Sequence, residues 1–171
     1  GDNMGYTVIA PVGDNTGALF VGMKEFPTEK VILLAPTENM DDAHALTKKL
    51  SDFPIKSKIM QLKGNTMEEV FKAFGTICAA NDLDNIMVNV ATGDRISTCA
   101  TLSAAFANGL KAFGVMGEKT MMMPIMKLRY YQELSENKMR ILREMSAETY
   151  TPLQTLSKRL KMSISLLSYH L

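Results

Sequence analysis

At 171 residues, with 46% hydrophobic and 22% charged residues and a formal net charge of +1, the chain has the composition of an ordinary soluble globular protein. Its length suits one full domain and a small appendage, and its composition excludes disorder. No apolar run approaches the roughly 18 to 20 residues needed to span a bilayer, and the N-terminus lacks the charged start and apolar core of a secretion signal, so a cytoplasmic protein without a membrane partner is expected.

Gly1 is not an initiator residue and reads as a scar of expression, with Met4 close to a natural start. Cys78 and Cys99 are solitary, as are His44 and His170, and none has the paired spacing of a zinc site. Two buried free thiols, no metal and no cofactor are expected. Fourteen methionines and no tryptophan describe a pliable core rather than a function. Charge is unevenly spread: residues 1–126 carry 11 Lys and Arg against 14 Asp and Glu (net −3), and residues 127–171 carry 8 against 4 (net +4). This asymmetry marks two modules.

The first module alternates apolar runs with amphipathic stretches. Tyr6 to Ala10 is expected as a strand, Pro11 to Thr16 as a loop and Gly17 to Glu25 as a short helix. Lys30 to Ala35 is a second strand, followed by Pro36 to Asn39 and a helix from Asp41 to Leu50. Ser57 to Leu62 is a third strand, and Thr66 to Asn81 a longer helix with Met67, Val70, Phe71 and Phe74 on one side. Ile86 to Val90 is a buried fourth strand, breaking into the polar loop Ala91 to Arg95 and a helix from about Ile96 to Asn108. Two further strands, Ala112 to Met116 and Met121 to Met126, flank a hairpin turn over Gly117 to Thr120. Strands alternating with helices imply right-handed crossovers and a mainly parallel sheet covered on both faces, so the expected fold is α/β, a Rossmann-like doubly wound domain over 1–126.

In a parallel sheet, the loops at the carboxyl ends of strands share one edge, where ligands sit and helix N-termini attract anions. Three loops follow: Gly13, Asp14, Asn15 and Thr16 after the first strand, Thr37 and Glu38 after the second, and Thr92, Gly93, Asp94 and Arg95 after the fourth. Glycines permit close ligand approach, hydroxyls donate to anions, and Arg95, the one arginine before Arg129, suits a phosphate or a stacked base. The same residue types also serve any strand-to-helix turn or helix cap. No G-x-G-x-x-G follows the first strand, and there is no Walker motif, G-x-S-x-G elbow or visible triad, so no catalytic residue is assigned. Ala100, Ser103, Ala104 and Ala107 form a small-residue stripe that suits close packing on the sheet or on a twin helix.

The second module carries strong helix signals after a linker at 127–134. Ser135 is an N-cap with Glu136 beside it, Leu134 and Met139 form a hydrophobic staple, and Met139, Leu142 and Met145 make a buried stripe. Thr151-Pro152-Leu153-Gln154 starts a second helix, and Ser163 caps a third. Three short helices with a tight link before the last are a helix-turn-helix pattern over 135–171. Ser165, Leu166, Ser168 and Tyr169 would then face the bases of double-stranded DNA, with Lys158, Arg159 and Lys161 toward the phosphates and Ser163, the cap of the third helix, also counted among the DNA-binding residues. A protein-interaction bundle is the alternative, and the reading face lacks the usual bidentate base readers. The chain stops at Leu171, where a winged helix would continue into a β-hairpin, so a missing wing and weak DNA binding by these residues are expected.

Gly13-Asp14-Asn15 after the first strand, Asn89 to Asp94 after the fourth, a terminal hairpin and Met126 to Tyr131 leading to a helix-turn-helix together resemble the CARF-domain transcriptional regulators: CRISPR-associated Rossmann-fold proteins with a C-terminal winged helix, mostly archaeal. The resemblance implies a homodimer whose loops after strands one and four form a symmetric pocket, typically for a cyclic oligoadenylate. By position, Gly13, Asp14 and Asn15 match the first ligand loop, and Asn89, Thr92, Gly93, Asp94 and Arg95 the second. The family's commoner loop has a second glycine where this chain has Asp94, a carboxylate that repels phosphate unless Arg95 or Lys63 offsets it. The resulting expectation is a ligand-responsive DNA-binding regulator that senses a nucleotide-like molecule and is not an enzyme. A competing expectation is a ring nuclease that cleaves a cyclic oligoadenylate, with Asp94, Arg95 or Thr16 positioning a ribose hydroxyl; a third is a non-catalytic protein-interaction module.

Overall fold

The computed structural model describes residues 5–124, 136–143 and Lys158. The chain divides into two units, Gly1–Met126 and Lys127–Leu171, each taken by itself. In the first, six strands and four helices follow in the order β1 (Tyr6–Pro11), α1 (Ala18–Glu25), β2 (Thr28–Pro36), α2 (Met40–Leu50), β3 (Lys56–Leu62), α3 (Thr66–Ala80), β4 (Ile86–Asn89), α4 (Arg95–Ala107), β5 (Lys111–Met116) and β6 (Lys119–Met122). The spatial order is β3-β2-β1-β4-β5-β6, parallel except for β6, which returns antiparallel to β5.

The central strands are apolar on both faces because helices cover both faces, as parallel sheets require. Val8, Ala10, Val31, Leu33, Ala35 and Met87 point into one core with Leu19 of α1 and Ala43, Leu46 and Leu50 of α2. Ile9, Ile32, Leu34, Ile86 and Val88 point into the other with Val70, Phe74 and Ile77 of α3 and Ala100 and Ala104 of α4. Each fully buried Leu, Ile or Phe contributes about 1.5–3 kcal/mol of transfer free energy, so the two layers lock the strand register.

The expected α/β class and mainly parallel sheet are present, in a Rossmann-like doubly wound arrangement. Several details differ. The last strand begins at Lys119, because Gly117 at φ +63° lets Gly117-Glu118 alone make the turn between Met116 and its partner Lys119. Met67 and Phe71 of α3 are exposed (41% and 39%), since the helix turns Val70, Ala73, Phe74 and Ile77 inward instead. Cys99 is exposed and Cys78 half-buried, so the expected pair of buried thiols is not found. Burial pushes the Cys78 thiol above its usual pKa.

In the second unit, residues 136–143 are helical. Ile141 is buried, whereas Met139 and Leu142 are 50% and 61% exposed, against the stripe expected from these two residues. In the run Met139-Arg140-Ile141-Leu142 more than one helical register places an apolar residue inward, and periodicity does not choose between them. Lys158 is helical and exposed. The linker at 127–134, Met145, the helix starts at Thr151 and Ser163, and Arg159, Lys161, Ser165, Leu166, Ser168 and Tyr169 lie outside the described residues.

Candidate ligand-binding site

The sheet runs outward in opposite directions from β1 and β4, which pair directly. At such a reversal the loops leaving the two strands part to opposite faces and leave a crevice at the carboxyl edge. Here the loop at 12–17 and the loop at 90–94 flank that position at the carboxyl edge.

Backbone and buried side chains tie these loops together. Thr92, 1% exposed, donates its hydroxyl to the Pro11 carbonyl at 2.5 Å, and the Thr92 carbonyl accepts from the Asn15 N–H at 3.3 Å. Asn89, fully buried, donates from Nδ2 to the Ala18 carbonyl at 3.2 Å and accepts from the Ala91 N–H at 3.0 Å, thereby joining the start of α1 to the end of β4. Gly13 sits so close to the second loop that a Cβ there would lie 2.5 Å from the Asp94 nitrogen. Gly93 is similarly close to Pro11, where a Cβ would lie only 2.9 Å from Pro11 Cγ. Only residues without side chains allow this contact of loop on loop.

Asp94 is the N-cap of α4, its Oδ1 accepting from the Ser97 N–H at 2.7 Å and its carbonyl from the Thr98 N–H at 2.9 Å. Part of its carboxylate is therefore committed to the helix start. Arg95, the first helical residue, is exposed and forms no ion pair among the described residues. Asp14 and Asn15 are exposed, and Gly13, Thr16, Gly93 and Asp94 half-buried, so these residues and Arg95 make the accessible rim. Asn89 and Thr92 lie beneath it as supports.

Thr37 and Glu38 stand apart from this pair of loops. They occupy a single 3₁₀ turn after β2, where the Thr37 hydroxyl donates to the Leu62 carbonyl at 3.5 Å and accepts from Gln61 Nε2 at 3.3 Å. Their loop is thus tied to β3.

The helix starts sort the edge electrostatically, which loop composition alone does not reveal. α2 carries Asp41 and Asp42 in its first turn and α3 carries Glu68 and Glu69, whereas the first turns of α1 and α4 hold no acid. Acids in a first turn occupy the positive pole of a helix; beside the β1–β4 pair the start of α1 carries none, whereas that of α4 is capped by the Asp94 carboxylate. The signal was present in the sequence, in Asp41 and Asp42 after the cap Asn39 and Glu68 and Glu69 after the cap Asn65. Among the described residues no group of three or more His, Cys, Asp or Glu side chains could hold a metal ion, and no helix is long and apolar enough to cross a membrane.

Residues 7–120 match the family described as HFX_2341_N:-like, N-terminal. The chain belongs to that family. No curated protein matches it. Among solved structures, the HFX_2341_N:-like chain is similar to Can2 from Sulfobacillus thermosulfidooxidans in complex with cyclic tetra-adenylate, at 12% identity and a TM-score of 0.57, covering 96% of this chain and 62% of that one. It is also similar to Enterococcus italicus Csm6 bound to cyclic hexa-2'-fluoro-hexa-dAMP, at 10% identity and a TM-score of 0.60, covering 98% and 49%. Protein VC1899 from Vibrio cholerae aligns at 11% identity with a TM-score of 0.59, over 68% of this chain and 33% of that one. At these identities the likeness is one of fold. The HFX_2341_N:-like chain spans less than two thirds of the length of each of the three.

Proposed function

We propose that this protein senses a nucleotide-like anion of the cyclic oligoadenylate class and transmits its binding to a DNA-reading C-terminal unit, acting as a transcriptional regulator rather than an enzyme. The observation that carries the reading is the carboxyl edge where β1 and β4 meet: two interlocked loops, the start of α1 free of first-turn acids, and the exposed Arg95 beside them. Two of the similar folds are described with cyclic adenylates bound, which supports this ligand class.

A ligand with rotational symmetry suits a site completed by a second copy. α4 offers a surface for that copy: Ile96, Cys99, Ser103 and Phe106 are exposed, and a groove of about 470 Å³ lies between Leu102, Phe106, Ala107, Met123 and Pro124. Ala100 and Ala104, from the small-residue stripe, are packed into the core and take no part. Ligand binding shifts the DNA-reading heads only to the extent that it favours one dimer arrangement over another. The net charge of +4 over residues 127–171, together with the exposed helical Lys158, supports DNA as the partner of the second unit.

The ring-nuclease reading shares the same rim, with Thr16, Asp94 and Arg95 available to orient a ribose hydroxyl. Incubation with cyclic tetra-adenylate in the absence of metal, followed by chromatography of the nucleotide and a thermal-shift assay of the protein, separates the two. A raised melting temperature with intact ligand is the expected result. Linear adenylate products would make the protein an enzyme, and no shift with any cyclic or linear nucleotide would remove the sensor reading.

A further inference from the structure

β3 is one of the two outer strands of the sheet. Its inner side pairs with β2 along its whole length, Lys56 to Leu62, so its outer row of N–H and C=O groups has no strand partner among the described residues. An open, seven-residue edge of this kind is a template for one more strand.

Charge restricts what that strand can be. Lys56 and Lys58 are two residues apart on a strand and therefore share a face. The register sets Lys30 of β2 directly opposite Lys56, on the face that also carries Ile32 and Met60. Like charges directly opposite each other in a sheet are unfavourable, and none of the three lysines forms an ion pair among the described residues. Three lysines thus share one corner of this face of the sheet, and β3 itself carries no acid.

We propose that the outer edge of β3 binds an extended acidic segment of a partner protein, which adds as a further strand with its alternate carboxylates beside Lys56 and Lys58 and its intervening apolar side chains on the opposite face, the one that carries Ile59. A second copy does not answer the charge, because its own β3 edge, Lys56–Leu62, carries no carboxylate to set beside these lysines. A nucleic acid would answer the charge but leave the row of backbone amides and carbonyls unmet.

The test uses the full chain and a fluorescein-labelled peptide of alternating Glu and Val, long enough to run along β3, with anisotropy as the readout. The peptide is expected to bind, and to lose about tenfold or more in affinity when its alternate amides are N-methylated, because backbone bonds are removed with charge unchanged. A Lys56→Glu, Lys58→Glu double variant is expected to bind the Glu-Val peptide at least as poorly as that, and added salt to weaken binding, since exposed charges are screened within about 8–10 Å at 0.1–0.15 M. The N-methylated peptide probes the unaltered protein, so the result stands even if the double variant folds poorly. Absence of binding, equal binding of the N-methylated or Lys-Val peptides, or displacement of the peptide by oligo-dT at equal concentration would each overturn the proposal.

Discussion

Asp94 is the residue at which the site is most finely balanced. As N-cap it accepts from the Ser97 N–H at 2.7 Å, and as a half-buried carboxylate it sets a negative charge beside the exposed Arg95. Capping needs an oxygen and not a charge, so Asp94→Asn should leave the melting temperature nearly unchanged while tightening an anionic nucleotide by roughly fivefold, the worth of a weak charge interaction. Arg95→Ala should do the opposite, weakening the nucleotide by about tenfold or more, because charge-assisted hydrogen bonds contribute about 1.5–3 kcal/mol. Isothermal titration of both variants with cyclic tetra-adenylate checks the pair, and equal affinities would place neither side chain at the ligand. The two thiols give a separate check on burial. The thiolate is the reactive form, and Cys78 is half-buried with its pKa raised by desolvation, so at pH 8 iodoacetamide should label the exposed Cys99 first. Peptide mass spectrometry over time reads the order of labelling.

At the scale of elements, loop contact and helix orientation are what the structure adds. A methyl group at Gly13 would meet the Asp94 nitrogen at 2.5 Å, and a backbone atom cannot swing aside as a flexible side chain can. Gly13→Ala should therefore push the two loops apart, costing about 1–3 kcal/mol in denaturant unfolding together with loss of the ligand response. Gly75, inside α3, has open space where a Cβ would stand, with nothing within 4 Å, and its replacement by Ala should stabilise by about 0.5–1 kcal/mol through helix propensity. Opposite signs from the same substitution distinguish packing from propensity. The elements themselves were legible because Val31 to Ala35 and Ile86 to Val88 are unbroken apolar runs, and because α2 and α3 begin where acids follow a turn. The exact margin of the buried stripe of α3 was not: Met67, Val70, Phe71, Phe74 and Ile77 fill one arc roughly 120° wide, and the structure buries its Val70, Phe74 and Ile77 side together with Ala73 while leaving Met67 and Phe71 exposed.

At the scale of the whole molecule, the exposed face of α4 bears on assembly. Phe106 is 42% exposed beside the groove with Leu102 and Met123, and a hydrophobic surface of this kind favours association when a second copy covers it. Phe106→Lys should shift the protein toward monomer in sedimentation velocity and abolish the thermal shift by cyclic tetra-adenylate, while leaving the circular dichroism spectrum intact. A dimer that persists, with an unchanged ligand response, would move the interface elsewhere.

Sequence by itself determined the class of the fold and the edge of the sheet at which to look, because strand and helix periods are local properties and because every parallel strand delivers its following loop to the same side. It also marked the residues 91–95, whose mixture of small, hydroxyl and charged groups is richer than the plainer opposite edge, as at Phe53-Pro54. Tertiary structure alone decided how the three candidate loops divide. Asn89 and Thr92 became buried ties, Thr37 bonded to the end of β3, and Gly13, Asp14, Asn15, Thr16, Gly93, Asp94 and Arg95 gathered where β1 and β4 meet. That division follows from the strand order: β1 and β4 are adjacent in space but separated by two complete strand–helix units in sequence, and only long-range pairing brings their loops together.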